Sequence, residues 1–448
     1  MTVIDIQDAL AKAAAAIAPE FSEDQLALDF TARHREDLRY VAQWGKWLRW
    51  NGTHWETENT LMAFDLARVV VRDYANACDD EKEAKKLASA KTVNAVQTLA
   101  RADRRHAAVT EQWDIDLWAL NTPAGTVDLR TGILRPHRRT DYITKITSVA
   151  PGGACPLWLA FLERIMNGDQ TLIGYLQRVA GYALTGITRE HALFFGYGTG
   201  GNGKSVFLGV LGDILNDYAA VAPMETFLFS HTDNHPTDLA GLRGARLVTA
   251  QETEEGRRWA ETKIKALTGG DPISARFMRQ DFFTYLPQFK LFIAGNYMPG
   301  LRGVNEAIRR RFNLIPFTVT IPENERDEEL PGKLQSEWPG ILQWMIDGCS
   351  SWISEGLNAP DAVRQATDDY LAAEDTFEQW IEEKCAVDRS YFATIAELFA
   401  SWKVWTEAAG EFTGSQKRLS QKLEARGFQR DRRGGARNRG FYGIALRP

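Results

Sequence analysis

The stretch Ala192-Leu193-Phe194-Phe195-Gly196-Tyr197-Gly198-Thr199-Gly200-Gly201-Asn202-Gly203-Lys204-Ser205 decides how this chain is read. Ala192 to Phe195 is a short apolar strand. Lys204 to Tyr218 is a helix with Val206, Phe207, Val210, Leu211, Ile214 and Leu215 on one face. Between them lies the full pattern GxxxxGK[ST], directly after a strand and opening a helix. Gly198, Gly200, Gly201 and Gly203, with Thr199 and Asn202 between them, let backbone N–H groups turn inward around phosphate oxygens, where side chains would collide. The helix N-terminus adds its partial positive charge. Lys204 is expected to contact the β and γ phosphates of ATP, and the Ser205 hydroxyl to ligate Mg²⁺.

Downstream, Arg246 to Ala250 and Lys290 to Ala294 read as buried strands, and strands separated by helices indicate a parallel α/β sheet. The first runs into Gln251-Glu252, which makes Glu252 the candidate Walker B acid, on the metal side and able to polarise the attacking water. Gln251 stands where many phosphate-loop proteins carry aspartate. Glu254 is the alternative acid, and Glu254 and Glu255 otherwise read as solvated. The second strand ends at Gly295-Asn296, whose amide is placed to hold the lytic water or sense the γ phosphate; the plainer reading is an asparagine that turns the chain before Pro299-Gly300.

Arg309-Arg310-Arg311 precedes the apolar run Phe312 to Phe317. Three arginines at a strand start are ordinarily a solvated patch. In a ring ATPase one of them reaches the neighbouring subunit's γ phosphate, with Arg311 favoured and Arg310 next. Between the acid and Asn296, the block from Lys263 to Arg279 holds Lys265, Arg276 and Arg279 among aromatic residues. It is expected to form a hairpin gripping the phosphate backbone of single-stranded DNA, the alternative being an ordinary surface hairpin.

At 448 residues the chain exceeds one ordinary core, so two to four domains are expected. A composition 44% hydrophobic and 25% charged, without an apolar run of about 18 residues, is that of a soluble globular protein. Cys78, Cys155, Cys349 and Cys385 form no CxxC pair, which argues against a disulfide framework or zinc ribbon and fits a reducing cytoplasm. The net charge of −6 does not by itself suggest nucleic acid, yet the C-terminal tail is strongly basic. There Ser415 to Arg426 reads as a helix with Leu419 and Leu423 inward and Lys417, Arg418, Gln421 and Lys422 outward. A hairpin around Gly434-Gly435 follows, carrying Arg430, Arg432, Arg433, Arg437 and Arg439. A recognition helix plus a basic wing is a duplex-contacting arrangement, and a disordered basic tail is its alternative. Asp114-Ile115-Asp116 and the His231/His235 pair have metal-site spacings, but their surroundings argue against metal sites.

The order phosphate loop, Glu252 strand, basic block, Asn296 and Arg311 resembles the superfamily 3 helicases. It is closest to the phage and plasmid primase–helicases related to poxvirus replicative NTPases. WLRWNGTHW (47–55), LNTPAGTVDLRTG (120–132), LQRVAGYALT (176–185) and LAGLRGARLV (239–248) extend the resemblance beyond the loop. It implies an α/β protein with an N-terminal α+β accessory domain (1–155), a helical collar (156–190), an AAA+-like P-loop motor (191–360) and a winged helix (361–448). The implied function is an ATP-dependent replicative DNA helicase of a phage, prophage or plasmid, acting in the bacterial host cytoplasm. It would be a homo-hexameric ring hydrolysing Mg-ATP at subunit interfaces and moving 3′ to 5′. Single-stranded and duplex DNA are the expected partners, a separate primase or polymerase is a candidate one, and no membrane is involved. The alternative is a nucleotide-gated origin-binding switch, or a helicase loader without processive unwinding.

Overall fold

The structure, a computed structural model, describes residues 18–230, 237–252, 257–278, 281–301, 304–410, 413–431 and 439–447. In the N-terminal unit, helices α1 (Glu23–His34), α2 (Met62–Asn76), α3 (Glu81–Leu87) and α4 (Ala90–Ala102) accompany a four-stranded sheet. Its strands are β1 (Leu38–Val41), β2 (Lys46–Trp50), β3 (Trp55–Thr57) and β4 (Ala107–Ala108), in the order β3-β2-β1-β4. The β2–β3 hairpin turns at Asn51-Gly52, where the Asn51 side-chain oxygen accepts from the amides of Thr53 and His54. A second antiparallel sheet of β5 (Ala119–Thr122), β6 (Gly125–Asp128) and β7 (Ile133–Arg135) follows.

Helix α5 (Pro156–Ile165) places Pro156 in its first turn, where a missing N–H costs nothing. Helix α6 (Gln170–Leu184) is capped by Asp169, whose carboxylate accepts from the amides of Thr171 and Leu172. Then come β8 (Leu193–Tyr197), α7 (Lys204–Leu215), β9 (Ala219–Val221), α8 (Thr237–Ala240), β10 (Leu247–Glu252) and α9 (Glu261–Gly269). A small hairpin of β11 (Ile273–Ala275) and β12 (Phe283–Tyr285) precedes β13 (Lys290–Gly295), α10 (Glu306–Arg309) and β14 (Phe312–Pro316). Strands β14-β8-β13-β10-β9, in that order, form one parallel sheet.

Both faces of this sheet are covered, as the near-continuous apolar strands require. Phe194, Phe292, Ala294 and Ile315 face a core shared with α5, α6, α7 and the long helix α12 (Trp338–Glu355), which follows α11 (Leu330–Gln335). Leu193, Phe195, Leu291, Ile293 and Leu314 face the other core, with Ile264 and Leu267 of α9. Helix α12 accepts Pro339 within its first turn, where a missing N–H costs nothing. The helices between 156 and 190 therefore share the sheet's core instead of forming a separate collar.

Helix α13 (Asp361–Ala373) also belongs to the sheet. Its Tyr370 and Leu371 lie in the second core, and its Thr367 hydroxyl accepts from the Leu314 amide at 3.0 Å. The last unit thus has its core from Phe377 onward, not from residue 361. It comprises α14 (Thr376–Lys384), β15 (Cys385–Thr394), α15 (Ile395–Ala408), α16 (Gln416–Ala425), β16 (Gln429–Asp431) and β17 (Gly440–Leu446). Its sheet order is β15-β17-β16, and Leu419 and Leu423 point inward. Among the described residues no helix is long and apolar enough to cross a membrane.

Helices α6 and α12 cross backbone to backbone. A Cβ on Gly181 would sit 2.0 Å from the Cys349 nitrogen, and one on Gly348 would sit 2.1 Å from the Gln177 carbonyl oxygen. Alanine replacing a helical glycine ordinarily stabilises by about 1 kcal/mol. At this crossing the sign should reverse, since overpacking costs about 1–3 kcal/mol. Gly348→Ala should lower the thermal midpoint by several degrees, and an unchanged or raised midpoint would mean that the helices do not meet at these glycines.

Candidate functional site

Strand β8 ends at Tyr197 and α7 begins at Lys204, so the loop between them sits at the carboxyl end of the parallel sheet, where such sheets bind ligands. Gly198, Gly200, Gly201 and Gly203 have φ values of +155°, +92°, +60° and +82°. Space is as restrictive as conformation. A Cβ on Gly198 would lie 2.1 Å from the Phe317 carbonyl oxygen, and one on Gly203 would lie 2.6 Å from Cγ2 of Ile165.

Lys204 is 6% exposed, and its ammonium donates to the Gly198 carbonyl at 2.7 Å and to Asn296 Oδ1 at 3.4 Å. Among the described residues it has no carboxylate partner. Desolvation pulls its pKa down to about 8. The Ser205 hydroxyl accepts from Gln251 Nε2 at 3.4 Å. Glu252 closes β10 in register with Gly295, one residue before Asn296. Its side chain lies outside the described residues, as do Glu254 and Glu255. The ends of β8, β10 and β13 thus bring Lys204, Ser205, Gln251 and Asn296 together.

A strap over the loop was not foreseen. After β14 the chain runs back across it, with the Phe317 carbonyl accepting from Asn202 Nδ2 at 3.1 Å and the Ile321 amide donating to the Gly201 carbonyl at 2.8 Å. The Thr320 and Thr199 hydroxyls are 3.3 Å apart. Arg326 donates to the Ile321 carbonyl at 3.0 Å and lays its guanidinium beside Gly201. No local pattern announces this, because the contacts join residues more than a hundred positions apart.

The two candidate arginines point differently. Arg311 is 6% exposed, with Nε donating to the Thr268 hydroxyl at 3.1 Å and a terminal nitrogen to the Ala307 carbonyl at 2.6 Å. Burial lowers its pKa. Its guanidinium is therefore engaged by Thr268 and Ala307 of the same chain. Arg310 is exposed.

The basic block divides in two. Lys265 sits half-buried on α9, not on a hairpin. The β11–β12 pair does form a hairpin, with Ala275 opposite Phe283 and with Arg276, Phe277, Met278 and Phe282 exposed around its tip. Arg279 lies outside the described residues. In the last unit Lys417 and Arg418 are exposed at the start of α16, which Ser415 caps. Lys422, expected to point outward, instead folds back over the rings of Phe377 and Trp402 at 5.3 and 5.2 Å, where a cation–π contact holds it. Arg432 and Arg433 lie outside the described residues, as do His231 and His235. Asp114 accepts from the amide and hydroxyl of Thr144, and Asp116 pairs with Arg130, so both carboxylates have structural partners.

Residues 27–167 match the family described as D5 N terminal like, and residues 196–311 match a family of unknown function. The second match spans the loop, the hairpin and the arginine pair. A candidate helicase of Acanthamoeba polyphaga mimivirus is 25% identical over 277 residues, 57% of this chain. A candidate helicase of Frog virus 3 is 25% identical over 275 residues, 56% of this chain. The chain spans 28% of the length of each of these relatives. Apo structures of the C-terminal region of NrS-1 superpose with TM-scores of 0.46 and 0.49, at 10% and 11% identity. They cover 87% and 90% of this chain and 82% and 86% of theirs, a likeness too distant to carry an argument. Residues 27–167 thus carry a D5 N-terminal-like segment, and just over half of the chain is similar to viral candidate helicases.

Proposed function

We propose that this chain is an ATP-hydrolysing DNA helicase, with the five-stranded sheet as an AAA+-like P-loop motor working in a ring of subunits. The observation that carries the reading is Lys204. It is a buried ammonium at the mouth of a glycine loop, held among the described residues by one carbonyl and one amide oxygen, where a phosphate would supply the missing negative charge. Inward-turned loop amides and Lys204 would take the β and γ phosphates of ATP. Ser205 and Glu252 would hold Mg²⁺, which neutralises charge on the phosphoryl oxygens when bound. Asn296 would orient the attacking water, and the Glu252 carboxylate would accept its proton. Arg326, beside Gly201, adds a positive charge from the same subunit.

Arg310, exposed beside the buried Arg311, would reach a neighbouring subunit's phosphates. The exposed hairpin tip would move single-stranded DNA with Arg276, Arg279 and its aromatic residues, travelling 3′ to 5′ as the family resemblance suggests. The last unit would act as a winged helix, touching duplex phosphates through Lys417, Arg418, Arg432 and Arg433.

Lys204→Ala should abolish ATP hydrolysis while the thermal midpoint stays near wild type; turnover near the wild-type rate would remove Lys204 from the site. Calorimetry across pH gives a second test. With its pKa held near 8, the free amine loses its proton as pH rises through that value, whereas phosphate binding favours the ammonium. ATP binding should therefore take up a proton and weaken above pH 8. A flat affinity between about pH 7.5 and 9.5 would contradict contact between this amine and phosphate.

Arg310→Ala should lower turnover by roughly 10³-fold, with little effect on stability. Arg311→Ala should mainly lower the thermal midpoint, since it removes a buried guanidinium from two acceptors. Mixing Arg310→Ala with Lys204→Ala subunits should restore part of the activity, because an intact loop then meets an intact arginine across some interfaces. No rescue at any ratio, in rings shown to co-assemble, would count against action between subunits.

A further inference from the structure

A run of ring and cation contacts leads from the hairpin to the N-terminal unit. Phe277, near the hairpin tip, stacks on Phe283 of β12 with centroids 5.7 Å apart. The guanidinium of Arg243, in the segment between α8 and β10, lies 5.4 Å from the Phe283 ring and 5.8 Å from the ring of Trp44. Trp44 sits in the turn between β1 and β2 and is backed by Trp113 at 6.1 Å. Arg276 covers the exposed ring of Phe282 at 4.8 Å. Arg243 and Arg276 are exposed and, among the described residues, neither has a carboxylate partner.

A guanidinium between two aromatic rings, uncompensated by any acid among the described residues, is an unusual way to join two units by packing alone. A carboxylate would neutralise such a joint, and an aliphatic side chain would fill it more cheaply. The combination suits a different chemistry, in which unpaired bases stack on ring faces and phosphates meet the guanidinium. Duplex DNA hides its base faces, so a ladder of rings selects single strands.

We propose that single-stranded DNA engaged by the hairpin continues over Arg243 onto Trp44, so that the N-terminal unit forms part of the DNA path. This rests on the helicase reading above and extends it by naming a second strand contact outside the motor. Trp44 supplies a stacking face and Arg243 a phosphate contact.

The test is fluorescence anisotropy of the full chain with labelled oligo-dT of about 8 and about 30 nucleotides, the shorter matching a single stacking site. Trp44→Ala and Arg243→Ala should each weaken binding of the long oligonucleotide about tenfold or more. Binding of the short one, which the hairpin alone can hold, should change less than about twofold. Trp44→Phe, which keeps a ring, should recover most of the loss. Arg243→Ala should also flatten the salt dependence by about 0.7 log unit per log unit of salt for each lost phosphate contact.

Unchanged long-oligonucleotide affinity in both variants overturns the proposal. So does an equal loss on both lengths accompanied by a lowered thermal midpoint, the signature of Arg243 as a structural joint only. Wild-type chain that binds neither oligonucleotide and shows no ATPase stimulation by single strands would defeat the helicase reading as well. Wild-type binding with unaffected variants defeats only the strand path.

Discussion

The phosphate loop can hold its shape only because three parts of the chain close around it. Phe317 presses its carbonyl against Gly198, Ile165 and Phe161 of α5 lie under Gly203, and Lys204 reaches back to the Gly198 carbonyl. Each contact is possible only where no side chain intervenes, which is why the glycines matter sterically as well as through their φ angles. Arg164 of α5 pairs with Glu325 at the far end of the strap, so two of the three walls are also joined to each other. In the proposed reading, the loop amides would thereby be oriented before a phosphate arrives, and pre-orientation of this kind is the main contribution a protein makes to phosphoryl transfer.

At the opposite end of the parallel sheet, two buried cations connect it to what precedes it. Arg246, 4% exposed, donates to the carbonyls of Leu184 and Ala119 at 2.6 and 2.7 Å and lies over the Tyr218 ring. Lys290, 2% exposed, donates to carbonyls of Thr185, Ile187 and Gln288. Among the described residues neither has a salt-bridge partner, and burial holds the Lys290 amine well below its ordinary pKa. Carbonyls at the C-terminal end of α6, the negative end of its dipole, offset part of that cost. These cations stand at the starts of β10 and β13, whose other ends carry Glu252 and Asn296. The β5–β6–β7 sheet and α6 are thus attached to the same two strands that lead to Glu252 and Asn296.

The parallel sheet and the loop were legible in the sequence because their signals are local: apolar runs of strand length, glycines, and a helix with one apolar face. The hairpin after α9 was legible for the same reason. Misreadings occurred where a distant group decides the outcome. Lys422 looked solvent-facing by helical periodicity, but Phe377 and Trp402 draw it back. Arg311 looked free at a strand start, yet Thr268 and Ala307 engage it. The polar helix 361–373 was read with the winged helix because only Val363, Thr367, Tyr370 and Leu371 mark its buried stripe. The strap from Phe317 to Arg326 and the glycine crossing of α6 with α12 have no local signature at all.

The central claim is that hydrolysis at this loop drives strand separation. Its most direct test is strand displacement on a forked duplex with a 3′ single-stranded tail, measured with ATP and Mg²⁺ and again with a non-hydrolysable analogue. The account predicts displacement that requires hydrolysis and the 3′ tail. A chain that binds the fork and hydrolyses ATP, yet releases no strand, would contradict it.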